Sequence, residues 1–256
     1  MSSPHLQAIK TRIMQPPQDD FYTALDDVLP PLKNGDVLCV SAKVLAIHEG
    51  RCIPLDETSK DELVQQETDM WLPRDTNTYG FMLTIIHHGL IASAGIDESN
   101  SGDYFTLLPK NPTESARLLR AHLMTRHNLT ELAVIVTDSH VRPLRWGTEG
   151  IAIGAYGLEP LRDYRGTPDL FNRTMKVSQH NIVDALAVTS VSLMGEGAEC
   201  TPAVLIRDWP NLTFTNEDTW HKLVVDPEAD VFSPLLQIFQ DYKNSRRKAE
   251  DESAQV

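Results

Sequence analysis

The sequence predicts an α+β fold in which mixed and antiparallel sheets are flanked by helices. Strand-like and helix-like segments follow one another without a regular strand–helix–strand rhythm, which argues against a doubly wound parallel sheet. The apolar segment at residues 81–96 is also long enough to form a strand or an antiparallel hairpin. With 256 residues, of which 41% are hydrophobic, the chain can bury a sizeable core. We predict a main domain over residues 1–230 and a C-terminal helix with a charged tail over residues 231–256.

Two helices and one strand are predicted before that segment. The adjacent acids Asp19 and Asp20 suit the positive N-terminus of a helix, and apolar residues follow them at helical spacing. A turn at residues 34–36 leads into residues 37–47, whose apolar run predicts a mostly buried strand. Residues 59–72 have a helical pattern.

The second half of the chain contains three predicted helices and two predicted strands. A helix begins after Asn111, which is a good N-cap and is followed by proline. Residues 132–139 predict a short buried strand that ends in a polar loop, and residues 202–208 predict another strand. Between them, residues 179–194 predict a buried helix. The last helix starts at Ser233 and runs into a charged tail that we expect to be frayed.

Charge and cysteine content exclude several classes of protein. The formal net charge of -13 repels nucleic-acid phosphates and acidic membranes, so neither is a predicted partner. The three cysteines are scattered, which is not the pattern of a disulfide framework or a zinc site. The first residues lack the apolar core of a signal peptide, and no apolar run reaches the roughly 20 residues of a membrane span. We therefore expect a cytoplasmic protein.

Acidic residues follow three apolar segments and are candidate metal ligands. They are Asp97 and Glu98 in GIDESN, Asp138 with Ser139 in VTDS, and Glu196 in MGEGAE. Carboxylate and hydroxyl oxygens suit hard cations such as Mg²⁺ or Mn²⁺. Taken singly, each acid is more often a solvated turn residue or a helix cap.

Basic residues in two regions are candidates for binding an anion. Lys43 lies inside an apolar segment, where its ammonium group needs either a strand end or an anionic partner. Arg142 and Arg145 come just after Asp138, and two guanidinium groups can hold a carboxylate or a phosphate. For any single arginine, the default interpretation is an ion pair with a nearby surface glutamate.

Familiar nucleotide and metal motifs are missing or weak. No GxxxxGK[ST] segment occurs, which excludes a P-loop. The glycine series at residues 147–157 is more typical of tight packing or turns than of a phosphate loop. His87 and His88 look like a metal pair, but adjacent residues on a strand point to opposite faces.

Taken together, these motifs resemble the coenzyme F420-0:γ-glutamyl ligase family, in order from about residue 11 to residue 208. The similar segments are QPPQDDF (15–21), SAKVLAIHEGR (41–51), GIDESN (95–100), VIVTDSHVRPLRWG (134–147), IAIGAYGLEPLRDYRGTPDLFNR (151–173) and MGEGAECTPAVLIRD (194–208).

The resemblance implies an α+β fold of the family's own type and a homodimer. It also implies a ligase that joins L-glutamate to an acceptor carboxylate through an acyl phosphate, with GTP or ATP as the energy source. Two divalent cations, Mg²⁺ or Mn²⁺, would be held by Asp97, Asp138, Ser139 and Glu196. The implied GTP contacts, which include the loop from Met194 to Thr201, are Arg12, Ile13, Met14, Gln15, Ala42, Lys43, Asn100, Met194, Gly195 and Gly197. On chemical grounds, Lys43, Arg142 and Arg145 are our candidates for holding phosphate, acyl oxygens or glutamate carboxylates in catalysis.

The sequence also departs from the family pattern at several positions. Ile47 stands where a second lysine is common, Val141 where glycine is usual, and Asn172 where glycine precedes arginine. The stretch between residues 51 and 81 is shorter than the family pattern leads us to expect. These departures leave open the acceptor, which is F420-0-like or folate-like, and the choice between GTP and ATP.

Two other functions compete with the ligase. The same acids would serve a metal-dependent phosphoryl hydrolase, and the change at Ile47 would permit a non-catalytic nucleotide-binding module. The presence of Asp97, Asp138 and Glu196 together favours an enzyme, because a binding module does not need the full metal set.

Overall fold

Residues 3–253, which the computed structural model describes, form twelve strands and six α-helices. The strands are β1 (His5–Ile9), β2 (Asp36–Ser41), β3 (Cys52–Pro54), β4 (Met70–Leu72), β5 (Leu83–Ile86), β6 (Gly89–Ala92), β7 (Tyr104–Thr106), β8 (Leu132–Val141), β9 (Thr148–Tyr156), β10 (Leu161–Asp163), β11 (Gln179–Asn181) and β12 (Ala203–Arg207). The helices are α1 (Phe21–Asp26), α2 (Ala42–His48), α3 (Lys60–Glu67), α4 (Pro112–His127), α5 (Ile182–Met194) and α6 (Ser233–Ser253).

The central sheet joins strands from both ends of the sequence in the order β1-β12-β2-β8-β9. The pair β2 and β8 is parallel, and every other neighbouring pair in this sheet is antiparallel. Three smaller antiparallel sheets consist of β4-β5-β6, β3-β7 and β10-β11. The predicted α+β class, with mixed and antiparallel sheets and flanking helices, is confirmed.

Helices cover both faces of the central sheet. Because side chains alternate along a strand, β2 sends Leu38 and Val40 to one face and Val37 and Cys39 to the other. The first face packs against α1, α2 and α4, and the second packs against α5. Burial on both faces explains why β2 is apolar throughout its length instead of alternating between apolar and polar residues.

The predicted strand at residues 37–47 is wrong in its second half. The strand ends at Ser41, and Ala42–His48 form helix α2, whose Val44, Leu45, Ala46 and Ile47 are buried. An apolar run that is buried on all sides does not distinguish a strand from a short helix. Lys43 therefore lies in the first turn of a helix, at the end of a central strand.

Other predicted elements are confirmed with changed boundaries. The predicted helix at residues 59–72 ends at Glu67 and is followed by strand β4; its start has a capping box formed by Ser59 and Glu62. The helix predicted for residues 179–194 begins at Ile182, after the short strand β11.

Strand β8 is longer than the predicted strand at residues 132–139, which was expected to end in a polar loop. The strand continues to Val141, because its last residues pair with the start of β9, as in Val141 with Thr148. Asp138 and Ser139 are therefore strand residues, in the half of β8 that is partly accessible.

The segment at residues 81–96 forms the hairpin of β5 and β6, as predicted. His87 and His88 form its turn, with φ values of 49° and 59°, so the prediction that they lie on a strand is wrong. The glycines of β9 have the predicted packing role. A Cβ atom on Gly150 would lie 2.7 Å from the Val191 side chain of α5, and one on Gly154 would lie 2.5 Å from the Pro112 backbone of α4.

Helix α6 begins at Ser233, as predicted, and continues through most of the charged tail to Ser253; residues 254–256 of that tail lie outside the described residues. It packs against β4 through the buried Phe239 and through Tyr242, whose ring centroid is 5.1 Å from that of Trp71. Lys243 adds an ion pair with Asp69 at 3.1 Å. Among residues 3–253, no helix is both long enough and apolar enough to cross a membrane.

Candidate active site

A cavity of about 850 Å³ opens beside the C-terminal ends of the parallel strands β2 and β8. Five stretches of chain contribute to its wall, residues 11–16, 41–47, 91–102, 137–141 and 191–202, together with Phe81 and Thr148. The carboxyl ends of neighbouring parallel strands are a common place for ligands, because the loops that follow them diverge and leave a crevice. The cavity brings together sequence motifs that are far apart along the chain.

Asp138 lines this wall, and its surroundings disfavour the charged form of its carboxyl group. Burial raises the pKa of Asp138 to about 7; a backbone hydrogen bond from Ser139 opposes the rise, and the nearby Asp97 carboxylate adds to it. The Glu196 carboxylate makes a smaller contribution in the same direction. Three carboxylates of the predicted metal set therefore act on one another within this cavity.

Asp97 follows the β5-β6 hairpin and accepts three hydrogen bonds in addition to its backbone pairing with Thr106. The donors are the Lys43 ammonium at 2.5 Å, the Ser99 backbone N–H at 2.8 Å and the Ser99 hydroxyl at 2.8 Å. Burial acts to raise the pKa of Asp97, but the hydrogen bonds from Lys43 and Ser99 outweigh it and hold the pKa below its ordinary value. Asp97 is therefore ionised at neutral pH.

Lys43 places a positive charge among these acids. Its ammonium group also donates to the Ser99 carbonyl at 2.8 Å and lies 3.3 Å from the Ser99 hydroxyl. The sequence predicted that this ammonium group needs a strand end or an anionic partner. It has an anionic partner, because α2, which is mostly buried, directs the Lys43 side chain into the cavity.

Ser139 and Asn100 connect the sides of the cavity to the loop that follows α5. The Ser139 hydroxyl lies 2.9 and 3.0 Å from the two carboxylate oxygens of Glu196 and can donate one hydrogen bond to them. The Asn100 side-chain amide donates to the Gly197 carbonyl at 3.0 Å. Strand β8, the GIDESN segment and the loop at residues 194–201 are thus joined by direct hydrogen bonds.

The oxygen donors in this cavity fit a hard divalent cation by their chemistry. The Asp138 carboxyl group lies near two other carboxylates, and an added cation would relieve their repulsion. As arranged, no group of three or more His, Cys, Asp or Glu side chains within residues 3–253 is spaced to hold one ion. Asp97 is bonded to Lys43 and Glu196 to Ser139, and each carboxylate keeps further lone pairs that can bind an ion.

The N-terminal segment Arg12 to Gln15 forms another part of the wall, as do Met194, Gly195 and Gly197. Arg12 makes a two-pronged ion pair with Asp19, with N–O distances of 2.5 and 2.7 Å. Asp19 also accepts the backbone N–H of Gln15 at 2.9 Å.

Four of the candidates for nucleotide contact differ in how accessible their side chains are. Ile13 is exposed and Met14 is buried, while Asn100 lines the cavity. Ala42 is fully buried at the start of α2 and does not line the cavity.

Arg142 and Arg145 are not brought into the cavity wall. Both lie in the connection between β8 and β9. Arg142 pairs with Glu149 at 2.7 Å, which is the surface ion pair that the default interpretation predicted. Arg145 donates to the Leu144 carbonyl at 3.0 Å. Neither arginine therefore contacts the acidic cluster, and this arrangement does not support the catalytic roles predicted for them.

Sequence reasoning did not single out three ionisable residues at the site, although Glu199 lies in the predicted loop from Met194 to Thr201. Asp19 was interpreted only as a helix-start acid, but Asp20 is the N-cap of α1 and Asp19 binds Arg12. His140 and Glu199 both line the cavity. The Glu199 carboxylate accepts the Gly197 backbone N–H at 2.8 Å. All three residues lie within the motifs that resemble the family, and this position was the sequence signal that could have identified them.

Comparison with known proteins gives a consistent result. A family model described as F420-0:Gamma-glutamyl ligase matches residues 8–208, a span that contains every candidate metal and nucleotide residue. A Coenzyme F420:L-glutamate ligase of Methanopyrus kandleri is 34% identical over 222 residues, which are 78% of this chain and 86% of the relative. One from Natronomonas pharaonis is 34% identical over 243 residues, covering 85% and 90% of the two chains. One from Methanocaldococcus jannaschii is 35% identical over 219 residues, covering 79% and 86%.

Proposed function

This chain belongs to the F420-0:γ-glutamyl ligase family and is an amide-forming ligase, and from that premise we propose its reaction. The reaction joins L-glutamate to the carboxylate of a small-molecule acceptor, with GTP or ATP as the energy source. The observation that carries this proposal is one cavity that contains Asp97, Asp138 and Glu196 together with the Lys43 ammonium group.

The chemistry requires an activated carboxyl group, because a carboxylate is a poor electrophile. The γ-phosphoryl group of the nucleotide passes to an acceptor carboxylate oxygen and forms an acyl phosphate and nucleoside diphosphate. The neutral amine of L-glutamate then attacks the acyl carbon, the amide bond forms, and inorganic phosphate leaves. The amine also loses a proton, so the overall products are amide, nucleoside diphosphate, phosphate and a proton.

The residues of the cavity support this sequence of steps. Asp97, Asp138, Ser139 and Glu196 would hold Mg²⁺ or Mn²⁺, which neutralises phosphate charge during phosphoryl transfer. Lys43 supplies a fixed positive charge beside Asp97 that phosphate oxygens can share.

Two further contacts prepare the site for the nucleotide. Ser139 positions the Glu196 carboxylate. Asp19 holds the Arg12 guanidinium and the Gln15 backbone at one side of the cavity, where we propose that the nucleotide binds.

A homodimer is part of the proposal. Several large apolar side chains outside the cavity are exposed on the segment that connects β10 to β11. Among them are Leu170 at 97%, Phe171 at 82% and Val177 at 83%. Monomeric proteins rarely expose large contiguous apolar patches, so a second copy that covers these side chains is a reasonable partner. Sedimentation of the purified protein over a range of concentrations tests whether it forms this homodimer.

The cytoplasmic location of the protein stays a prediction.

The deciding experiment measures phosphate release and product mass in the same reactions. The protein is incubated with GTP or ATP and Mn²⁺, with and without L-glutamate, and with F420-0 or a folate as the acceptor. We expect one acceptor to gain the mass of a glutamate residue, and Asp97→Asn to abolish that gain. Asp163→Asn is the matched control, because Asp163 is a similarly exposed acid paired with Arg165 outside the cavity.

The other outcomes separate the competing functions. Nucleotide hydrolysis that is indifferent to L-glutamate and acceptor would replace the ligase with a phosphoryl hydrolase. Nucleotide binding without turnover for any acceptor would favour a binding module.

A further inference from the structure

Exposed aromatic residues lie at the open side of the cavity. Trp146 is 90% exposed, Tyr79 is 65% exposed and Phe81 is 50% exposed, and Val141 and Leu144 extend the same apolar surface. We call these five residues the mouth patch. Phe81 and Val141 also line the cavity, so the patch and the site of the acidic cluster are continuous.

The mouth patch is built from two separate connections. Tyr79 and Phe81 belong to the segment between β4 and β5, and Trp146 belongs to the segment between β8 and β9. The rings of Tyr79 and Trp146 meet edge to face, with 6.2 Å between centroids and an interplanar angle of 83°. This contact joins the two connections across the cavity opening and leaves most of the indole surface accessible.

The segment that carries Tyr79 and Phe81 is held in place by hydrogen bonds. The Asn77 side chain donates to the Phe81 carbonyl at 2.7 Å and accepts the Tyr79 backbone N–H at 3.2 Å. Arg74 donates to the Gly80 carbonyl at 2.7 Å and is itself fixed by Asp61. An ordered segment that presents aromatic side chains to solvent is arranged for contact with another molecule.

A cation borders the mouth patch. Arg145 precedes Trp146 in the sequence and donates to the Leu144 carbonyl at 3.0 Å, and it forms no ion pair within residues 3–253. Arg142, by contrast, is occupied by Glu149. In a chain of net charge -13, a guanidinium without a carboxylate partner, bonded to the Leu144 carbonyl of the mouth patch, suits an anionic group attached to a planar ring.

We propose that the mouth patch is the acceptor subsite of this enzyme, with Trp146 as the stacking surface for a planar ring. This inference rests on the proposed ligase function. Tyr79 and Phe81 contact the edge of the ring, and Arg145 binds an anionic substituent such as a phosphate or carboxylate. The continuity of Phe81 and Val141 with the cavity directs the reactive carboxylate of the acceptor towards Lys43 and Asp97. The residues that the resemblance assigns to the nucleotide lie in other segments.

The test uses two probes with a planar ring and an anionic group, F420-0 and flavin mononucleotide. Their binding to the intact protein is followed by fluorescence, and GDP binding is measured separately by calorimetry. We expect Trp146→Ala to weaken the binding of a ring probe on the order of tenfold. We expect Trp146→Phe to retain most of the affinity, and GDP affinity to stay within about twofold of the wild type in both variants.

Two further variants sharpen the result. Arg145→Gln should weaken flavin mononucleotide but not neutral riboflavin, because only the former carries the anionic group. Phe232→Ala is the matched control, since Phe232 is an exposed aromatic residue that lies outside both the cavity and the proposed dimer surface. In turnover, the Trp146→Ala enzyme should show a raised acceptor KM with nucleotide and glutamate KM unchanged.

The outcomes separate this proposal from the ligase proposal. Ligase turnover with an unaffected acceptor KM in Trp146→Ala overturns the subsite and leaves the reaction intact. Trp146-dependent ring binding without turnover of any acceptor removes the reaction and, with it, the acceptor role of this ring-binding site. Weakened GDP binding would assign the patch to a nucleobase, and a shifted monomer–dimer equilibrium would assign it to a second copy; each result overturns the acceptor subsite. So does a wild-type protein that binds neither probe.

Discussion

The Ser139 hydroxyl lies within hydrogen-bonding distance of both carboxylate oxygens of Glu196, at 2.9 and 3.0 Å. This contact joins a central strand to the loop after α5, two elements that are 57 residues apart in sequence. It fixes one carboxylate of the acidic cluster in position. Glu196 would otherwise be a side chain on an exposed loop.

Removal of this hydroxyl should weaken the site without unfolding the protein. We expect Ser139→Ala to reduce Mn²⁺ affinity or ligase activity by about 10- to 100-fold, because groups that bind or orient metal ligands have effects of this size. Electron paramagnetic resonance titration of Mn²⁺ measures the affinity directly. Ser192→Ala is the control, since Ser192 is exposed on α5 and bonds only to the Val188 carbonyl. Equal Mn²⁺ affinity in both variants would remove Ser139 from the metal set.

Loss of the Lys43 charge should affect catalysis more than stability. We expect Lys43→Met to lower kcat on the order of hundredfold, since a preorganised positive charge is removed from the phosphoryl-transfer site. The ion pair with Asp97 is partly exposed, so its contribution to the free energy of unfolding is only about 0–1 kcal/mol. Steady-state kinetics and urea unfolding test the two statements together. Lys222→Met, which breaks the pair with Glu159 outside the cavity, should leave kcat unchanged.

Asp19 should make stability depend on acid pH. The hydrogen bond from Arg12 holds the pKa of Asp19 well below its ordinary value. A lowered folded-state pKa means that the stabilisation is complete above the unfolded-state value of about 3.9 and is lost as the pH falls below it. We expect Asp19→Asn to destabilise by about 0–1 kcal/mol at neutral pH, since Arg12 is 47% exposed, and this difference should shrink below about pH 4.

Urea unfolding of the wild type and of Asp19→Asn at several pH values measures this effect. Asp56→Asn changes an exposed acid that forms no ion pair within the described residues and should follow the wild-type curve. If the difference in the free energy of unfolding between Asp19→Asn and the wild type stays constant down to pH 3, the lowered pKa of Asp19 does not contribute to stability.

The cysteines should differ in their reaction with alkylating reagents. Burial raises the pKa of the Cys39 thiol to about 12, and it also raises the pKa of the Cys52 thiol. Cys200 is partly accessible and lines the cavity. We expect iodoacetamide at mildly alkaline pH to modify Cys200 first and nucleotide to slow that modification, as followed by mass spectrometry. Cys200→Ser should lose the fast phase, and an unchanged rate with saturating nucleotide would place the nucleotide away from Cys200.

The buried face of α4 should dominate local stability. Leu119 is fully buried in the core, whereas the adjacent Leu118 is 47% exposed. We expect Leu119→Ala to lower the free energy of unfolding by about 2–5 kcal/mol, because a cavity is left in the packed interior. Leu118→Ala provides the matched control and should change it by about 0.5 kcal/mol or less. Urea unfolding of both variants decides the question, and similar losses would mean that the two faces of α4 are not distinguished as described.

Much of the fold was predictable because its signals are local. Asn111 with the following proline marks the start of α4, and the N-cap contact of Asn111 with the Glu114 backbone N–H is present in the structure. The hairpin at residues 81–96 and the strand at residues 202–208 also follow from their apolar patterns. The change from strand to helix at Ala42 was not predictable in this way, since every neighbouring position is buried whichever element forms.

By itself, the sequence determined the fold class, most of the elements and the family motifs that contain Asp97, Asp138 and Glu196. Each of these depends on residue types and on spacing along a short stretch of chain. Only the tertiary structure decided that Lys43 binds Asp97, that Asp19 holds Arg12, and that Arg142 pairs with Glu149 outside the cavity. Those relationships depend on strand order and on the direction of side chains, which are fixed when the sheet and its helices pack together. Tertiary packing also placed Trp146 beside Tyr79 at the cavity mouth, because two connections distant in sequence meet only in the folded chain.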